Sequence, residues 1–266
     1  MAQKKKLKKK RDLISIVVAL IALVVFCYSG YQIISIILEE NQVKTDYKNI
    51  ISIVDVTPDI PDDEEEIQKA IALNKKSFNE LRAINSDFIG WLSFDSGLVS
   101  QPIVQTTDNE YYLTHSFFKK KSAIGTAFMD YSHTMSYANL TIYGHYVYSN
   151  PSLMFTPLER MIDQKYYEAN KYFSFTTSTE RIEYEIVAVF HYDINADGNT
   201  IPFMVGELTG PQLVDYVNAA KAKAFYDTGI TVTENDRVMT LQTCVKHQEE
   251  LRLVIIGKEI NRIPIE

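Results

Sequence analysis

The chain has 266 residues, 46% of them hydrophobic, with 17 Tyr, 13 Phe and a formal net charge of −7. Residues 1–12 carry seven basic side chains and Asp12, a charge of +6, which leaves −13 on residues 13–266. An acidic surface of that kind excludes nucleic acid or an anionic polymer as the default partner.

The basic residues are Lys4, Lys5, Lys6, Lys8, Lys9, Lys10 and Arg11, and no further charge follows between Leu13 and Leu38. A helix over 13–38 would reach about 39 Å at about 1.5 Å per residue, enough to cross a hydrocarbon core of about 30 Å. The apolar run exceeds the hydrophobic region of a signal peptide and no Ala-x-Ala type of cleavage motif follows it, so an uncleaved anchor fits better than a removed signal. The positive-inside rule then places residues 1–12 in the cytoplasm, against anionic lipid, and everything after the anchor outside a single-pass cell-membrane protein.

Residues 39–62, polar and acidic with Pro58 and Pro61, read as an extended extracellular linker. Residues 63–266 are long enough for one domain with a sizeable core. It opens with an amphipathic helix, since Ile67, Ala70, Ile71, Phe78 and Leu81 recur at helical spacing behind acids at 63–66. Short β-branched and aromatic runs follow at Phe88–Phe94, Gln101–Gln105, Ala123–Tyr131 and Leu140–His145. A hairpin is expected from Phe173–Thr177 and Ile182–Tyr192, and a last strand pair from Arg237–Cys244 and Leu251–Ile260. Helices are expected over Ser152–Asn170 and over Gly210–Tyr226, the second with Leu213, Val214, Val217, Ala220 and Ala224 inward. Many short strands with few helices argue for a mainly β fold, a closed barrel of about eight strands with peripheral helices.

Cys27 lies within the anchor, so Cys244 is a free thiol in an exported domain, worth considering as reactive. His145 precedes it by 99 positions and Arg252 follows it closely, each at the end of an apolar run. Thiol, imidazole and guanidinium are the parts of cysteine acyl transfer, and the histidine-first order argues against a papain relative. Each also has a plainer reading: a buried cysteine, a hydrogen-bonded strand-end histidine, an arginine paired with Glu249 or Glu250. The other histidines, His115, His133, His191 and His247, read as loop or surface residues. No HExxH or CxxC occurs. Asp193-Ile194-Asn195-Ala196-Asp197-Gly198 imitates the start of an EF-hand loop but has Met204 at the twelfth position, and reads as a turn. No metal and no cofactor is expected.

Tyr143-Gly144-His145 after an apolar run, Thr240-Leu241-Gln242-Thr243-Cys244 closing another, and Arg252 opening the next resemble the sortases, surface transpeptidases of Gram-positive bacteria. The finer likeness is to class B. It is carried by Gln101-Pro102-Ile103-Val104-Gln105, Asp108-Asn109-x-Tyr111-Tyr112-Leu113, Gly125-Thr126-Ala127-Phe128-Met129-Asp130, Met154-Phe155 and a helix-bearing insertion between Tyr192 and Arg237. No Asp-Pro-aromatic lid of the class C kind is visible, and Gln242 stands where class B members commonly have Ser.

The resemblance implies a sortase-like barrel and a membrane-anchored cysteine transpeptidase. Such an enzyme cleaves a C-terminal sorting signal after Thr through a thioacyl intermediate and transfers the surface protein to a peptidoglycan precursor amine. It casts Cys244 as nucleophile, His145 as acid and base, and Arg252, with the Val245 N–H, as oxyanion donor. Thr243, Gln242, Val245 and Tyr143 are expected to bind the peptide. The competing readings are a pilin-polymerising sortase or a cysteine peptidase, using a Lys amine or water, and a non-catalytic surface-binding module.

Overall fold

The structure, a computed structural model, describes residues 2–53, 75–195, 203, 206–246 and 248–265. It divides into two units, 1–49 and 50–266. In the first, helix α1 (Ala2–Ile51) runs without a break, and Ile14–Ile51 is long and apolar enough to cross a membrane. The expected extended linker is therefore helical as far as Ile51. Residues 39–51 hold no Gly or Pro and are rich in Glu, Gln and Lys, all good helix formers, with Gln42 donating to Asp46 one turn on at 2.7 Å.

In the second unit, residues 75–84 form helix α2, with Phe78 and Leu81 buried; the expected inward residues Ile67, Ala70 and Ile71 lie outside the described residues. Eight strands follow: β1 (Phe88–Phe94), β2 (Ser100–Val104), β3 (Phe128–Met129), β4 (Asn139–Tyr143), β5 (Tyr172–Thr176), β6 (Glu180–Asp193), β7 (Val238–Val245) and β8 (Gln248–Pro264). They close into a barrel in the order β1-β2-β3-β4-β7-β8-β6-β5, with β5 pairing back to β1. Two pairs, β2/β3 and β4/β7, are parallel and the rest antiparallel. The expected strands at 88–94, 173–177, 182–192 and 237–244 match within two residues at each end.

Two elements are shorter than their composition suggests. Of Ala123–Tyr131 only Phe128–Met129 pairs, because Gly125 turns the chain at φ +64 and breaks the extended run before it. Ser152–Asn170 is not one helix but a 3₁₀ segment, Thr156–Ile162, and a short helix α3, Gln164–Glu168. Asp163 separates them at ψ 118, outside the helical region, where its carboxylate caps the Lys165 N–H at 2.8 Å.

Helix α4 (Gly210–Lys221) begins with a capping box between Thr209 and Gln212 and stops before the expected Tyr226. It buries Leu213, Tyr216, Val217 and Ala220 against Ala188, Phe190, Val238, Val254 and Ile256. A closed barrel has only one face on which a helix can lie, so Val238, Val254 and Ile256 mark the outer face. By alternation Thr240, Gln242, Cys244 and Arg252 share it, while Leu241, Thr243, Leu253 and Ile255, all at 3% exposure or less, face the barrel core. Of the residues expected inward Val214 is only half-buried, while Tyr216, not among them, is buried with its hydroxyl 2.6 Å from Thr240 Oγ1.

Candidate active site

The outer face of β4, β7, β8 and β6 can be followed row by row from the strand register. Beneath α4 the row is Thr141, Thr240, Ile256 and Ala188. The next is Tyr143, Gln242, Val254 and Phe190. One step further, Cys244 is paired with Arg252, and Arg252 with Tyr192. His145 stands two residues past Tyr143 as Cys244 stands two past Gln242, and the Gly144 N–H still donates to the Gln242 carbonyl at 3.0 Å. The register thus carries His145, Cys244 and Arg252 to the same end of three adjacent strands, in the order β4, β7, β8. Cys244 is half-buried, and the pairing shifts just after it, so that Val245 faces Gln248. Such a bulge frees a strand end from its ladder and re-aims the side chains around it.

His145 is held by its ring. Nε2 lies 2.8 Å from the Leu113 carbonyl, which can only accept, so Nε2 carries hydrogen in the neutral ring and Nδ1 remains to exchange a proton. The carbonyl is presented by the 3₁₀ turn Tyr111–Leu113, whose start is fixed by Asp108 accepting from the N–H groups of Glu110 and Tyr111, both at 2.8 Å. Gly125 packs beneath. A Cβ there would stand 2.9 Å from His145 Cδ2 and 3.0 Å from the Leu113 carbonyl oxygen, and its φ of +64 is one that L side chains seldom adopt. Gly144 is equally constrained, since a Cβ would press into the ring of Phe155, whose N–H bonds the His145 carbonyl at 3.2 Å.

Tyr143 spends its only O–H on Asp130, at 2.9 Å. The same carboxylate accepts from Asn109 Nδ2 at 2.9 Å and from the Ser132 N–H and hydroxyl at 2.9 and 2.7 Å. Burial works to raise the Asp130 pKa, but the donors from Ser132, Tyr143 and Asn109 outweigh it and hold the carboxyl below the ordinary range. Burial foremost, and then the neighbouring Asp130, push the Tyr143 phenol up, so it stays protonated. Tyr143 therefore joins β4 to the loop carrying Asp130, in a network with Asn109 and Ser132 that no local sequence pattern marks.

Not every expected peptide contact lies on the groove face. Thr243 falls on the barrel-core side of β7 beside Leu253, 3% exposed, because alternation that sends 242 and 244 outward sends 243 inward. Val245 is also buried, and its expected contribution is its backbone N–H. Gln242 is on the groove face, 4% exposed, and its Oε1 has no hydrogen-bond partner. Arg252 Nη1 donates to the Leu251 carbonyl at 3.2 Å.

Two histidines read as loop or surface residues have firmer roles. His133 is 4% exposed, and its Nδ1 accepts the Thr141 N–H at 3.0 Å, tying a loop to β4. His191 lies within β6, where burial lowers its pKa. His247 and most of the EF-hand-like segment lie outside the described residues. Among those described, no group of three or more His, Cys, Asp or Glu side chains is placed to hold a metal ion.

The sortase domain model matches residues 94–260, a span that contains all three groups at the strand ends. Sortase B of Listeria monocytogenes is 32% identical over 192 residues, covering 71% of this chain and 76% of that protein. The chain belongs to the sortase family. Sortase B of Staphylococcus aureus matches over 92% of this chain and 96% of its own length at 23% identity. A crystal structure of a mutant sortase B from Clostridium perfringens superposes with a TM-score of 0.70 at 26% identity, covering 81% of this chain and 97% of that one. These relatives place it in class B, and it is a cysteine transpeptidase that anchors surface proteins through a sorting signal and a thioacyl intermediate. Of the class B features, Asp108–Leu113 and Gly125 are, in this sortase domain, the parts that seat His145, while Gln105 donates to the carbonyls of Asp130 and His133.

Proposed function

We propose that Cys244, His145 and Arg252 carry the sortase reaction in this chain. The observation that supports this assignment is the strand register, which pairs Cys244 with Arg252 and leaves His145 two residues past the end of the neighbouring β4. The Cys244 thiolate attacks the carbonyl carbon of a threonine in the sorting signal. The C–N bond to the next residue breaks, the departing amine takes a proton from His145 Nδ1, and a thioester remains. An incoming amine then attacks the thioester and gives a proton to the same nitrogen, and the thiolate leaves. Arg252 and the Val245 N–H stabilise the oxyanion in both steps.

The substrates in this reading are surface proteins with a C-terminal sorting signal, and the acceptor is an amine of a peptidoglycan precursor. Residues 1–12 lie in the cytoplasm, 13–38 span the membrane, and the linker at 39–62 carries the catalytic domain, 63–266, outside the cell. Incubating the full chain in detergent micelles with threonine-containing pentapeptides and an oligoglycine amine tests the assignment by mass spectrometry. Wild type forms a peptide–enzyme thioester and a peptide–glycine product, and Cys244→Ala forms neither. An alanine variant that turns over as fast as wild type removes Cys244 from the reaction.

A further inference from the structure

Gln242 is the one residue of the Thr240–Cys244 segment that is both buried on the groove face and left with an unmet acceptor. Its neighbours explain why. Across β8 stands Val254, with Phe190 beyond it, and neither offers a donor. Across β4 stands Tyr143, whose single O–H goes to Asp130. Behind it, toward α4, Thr240 gives its hydroxyl hydrogen to Asn139 Oδ1 at 2.9 Å. Forward of it in the strand register lies the row of Cys244, where the peptide carbonyl must lie for attack. A buried acceptor without a donor is costly in the free protein, and a ligand that brings a donor removes that cost on binding.

From this geometry we infer that Gln242 is a specificity-determining residue whose Oε1 accepts a hydrogen bond from an N–H of the bound sorting peptide. This rests on the assignment of Cys244 as nucleophile, because that assignment puts the peptide beside Gln242. The N–H belongs either to the peptide backbone next to the threonine or to a side-chain carboxamide, and the two sources respond to different changes. A site built around such a bond rejects a ligand lacking the donor, since the acceptor is then left buried and unpaired.

The test measures kcat/KM for the full chain in micelles with two peptide series, one methylated at each backbone nitrogen in turn and one with each carboxamide replaced by its carboxylate. Wild type and Gln242→Met are compared, methionine having similar length without a polar group. In wild type one peptide change should cost about ten- to a hundredfold, and in Gln242→Met the same change should cost almost nothing. The series in which the loss appears identifies the source of the N–H. Gln242→Met should also unfold at the same or a higher temperature, because it removes an unpaired buried oxygen, whereas an oxygen satisfied within the fold would make the variant less stable. Equal peptide profiles in the two proteins, or a less stable variant with an unchanged profile, overturn the inference alone. A wild type that forms no thioester with any unmodified peptide overturns the nucleophile assignment and the inference with it.

Discussion

The two ends of the β4/β7 outer face have the same chemistry and opposite treatment. At the α4 end, three polar side chains close a ring. Thr240 Oγ1 donates to Asn139 Oδ1, which can only accept; Tyr216 must therefore donate to Thr240, at 2.6 Å, and its oxygen receives Asn139 Nδ2 at 3.3 Å. Asn139 and Thr240 have no exposure, Thr141 beside them has none either, and the His133 ring accepts the Thr141 N–H. At the other end, one row past Thr240, Gln242 Oε1 is buried and unpaired, and Cys244 is half-buried. One end satisfies its polar groups within the fold, and the other leaves the Gln242 oxygen unpaired beside a half-exposed thiol. Changes at the open end should therefore reduce catalysis with little loss of stability, and changes at the closed end should do the reverse.

The largest effect is expected at Arg252. Arg252→Lys keeps the charge but loses the planar fork, and removal of one oxyanion donor typically lowers kcat by about 10²- to 10³-fold. Steady-state transpeptidation should show that fall with the thermal midpoint little changed. A variant within a factor of two of wild type would take Arg252 out of the oxyanion site.

Gly125→Ala should come next, and it is the case that blurs the boundary between the two ends. A Cβ at φ +64 costs about 1–2 kcal/mol in backbone strain alone, and here it also pushes on His145 and the Leu113 carbonyl. Both stability and kcat should fall, with KM nearly constant, because the proton-transfer group moves while the rest of the groove stays. Nitrogen chemical shifts of the His145 ring provide the direct reading: hydrogen on Nε2 in neutral wild type, and a mixture of tautomers in the variant. A ring protonated on Nδ1 in wild type would disprove the seat described for it.

At the closed end, Tyr216→Phe removes one hydroxyl from the ring of three and leaves Thr240 and Asn139 each short of a partner. The expected cost is about 1–3 kcal/mol of unfolding free energy, measured by urea titration, with kcat per folded molecule unchanged. A fall in kcat without a fall in stability would show that the two ends are coupled more tightly than their separate hydrogen bonding suggests.

The sequence displayed the strand-end groups better than it displayed what holds them. Phe88–Phe94 and the β5/β6 hairpin are legible because alternating β-branched and aromatic residues map directly onto a pleated strand. His145, Cys244 and Arg252 are legible as polar groups closing or opening apolar runs. The inward turn of Thr243 was also available from period-two alternation once Gln242 and Cys244 were set on one face. By contrast, His133 reading the β4 backbone, Tyr216 reaching Thr240 and Leu113 seating His145 are contacts between residues 8, 24 and 32 positions apart, and no local pattern encodes them. The break at Asp163 was masked by apolar spacing that continues through it, and the helicity of residues 39–51 by a polar composition that serves linker and helix alike.

The smallest effect should come from Asp130, which stands between the two ends, bonded to Tyr143 and so to the strand that carries His145. Its pKa in the fold lies below the value of about 3.9 usual for an unfolded aspartate. The unfolded chain therefore binds more protons as pH falls through that range, and the stability due to Asp130 is present above the unfolded pKa and lost toward the folded one. Asp130→Asn should be less stable than wild type at neutral pH, and the gap should narrow as pH falls below about 4. Asparagine keeps an acceptor for Tyr143, so kcat should stay close to that of wild type. Urea unfolding of both proteins across that pH range decides the matter: parallel curves would mean that the donors around Asp130 are indifferent to its charge, and that the link from this loop to the His145 strand is one of shape alone.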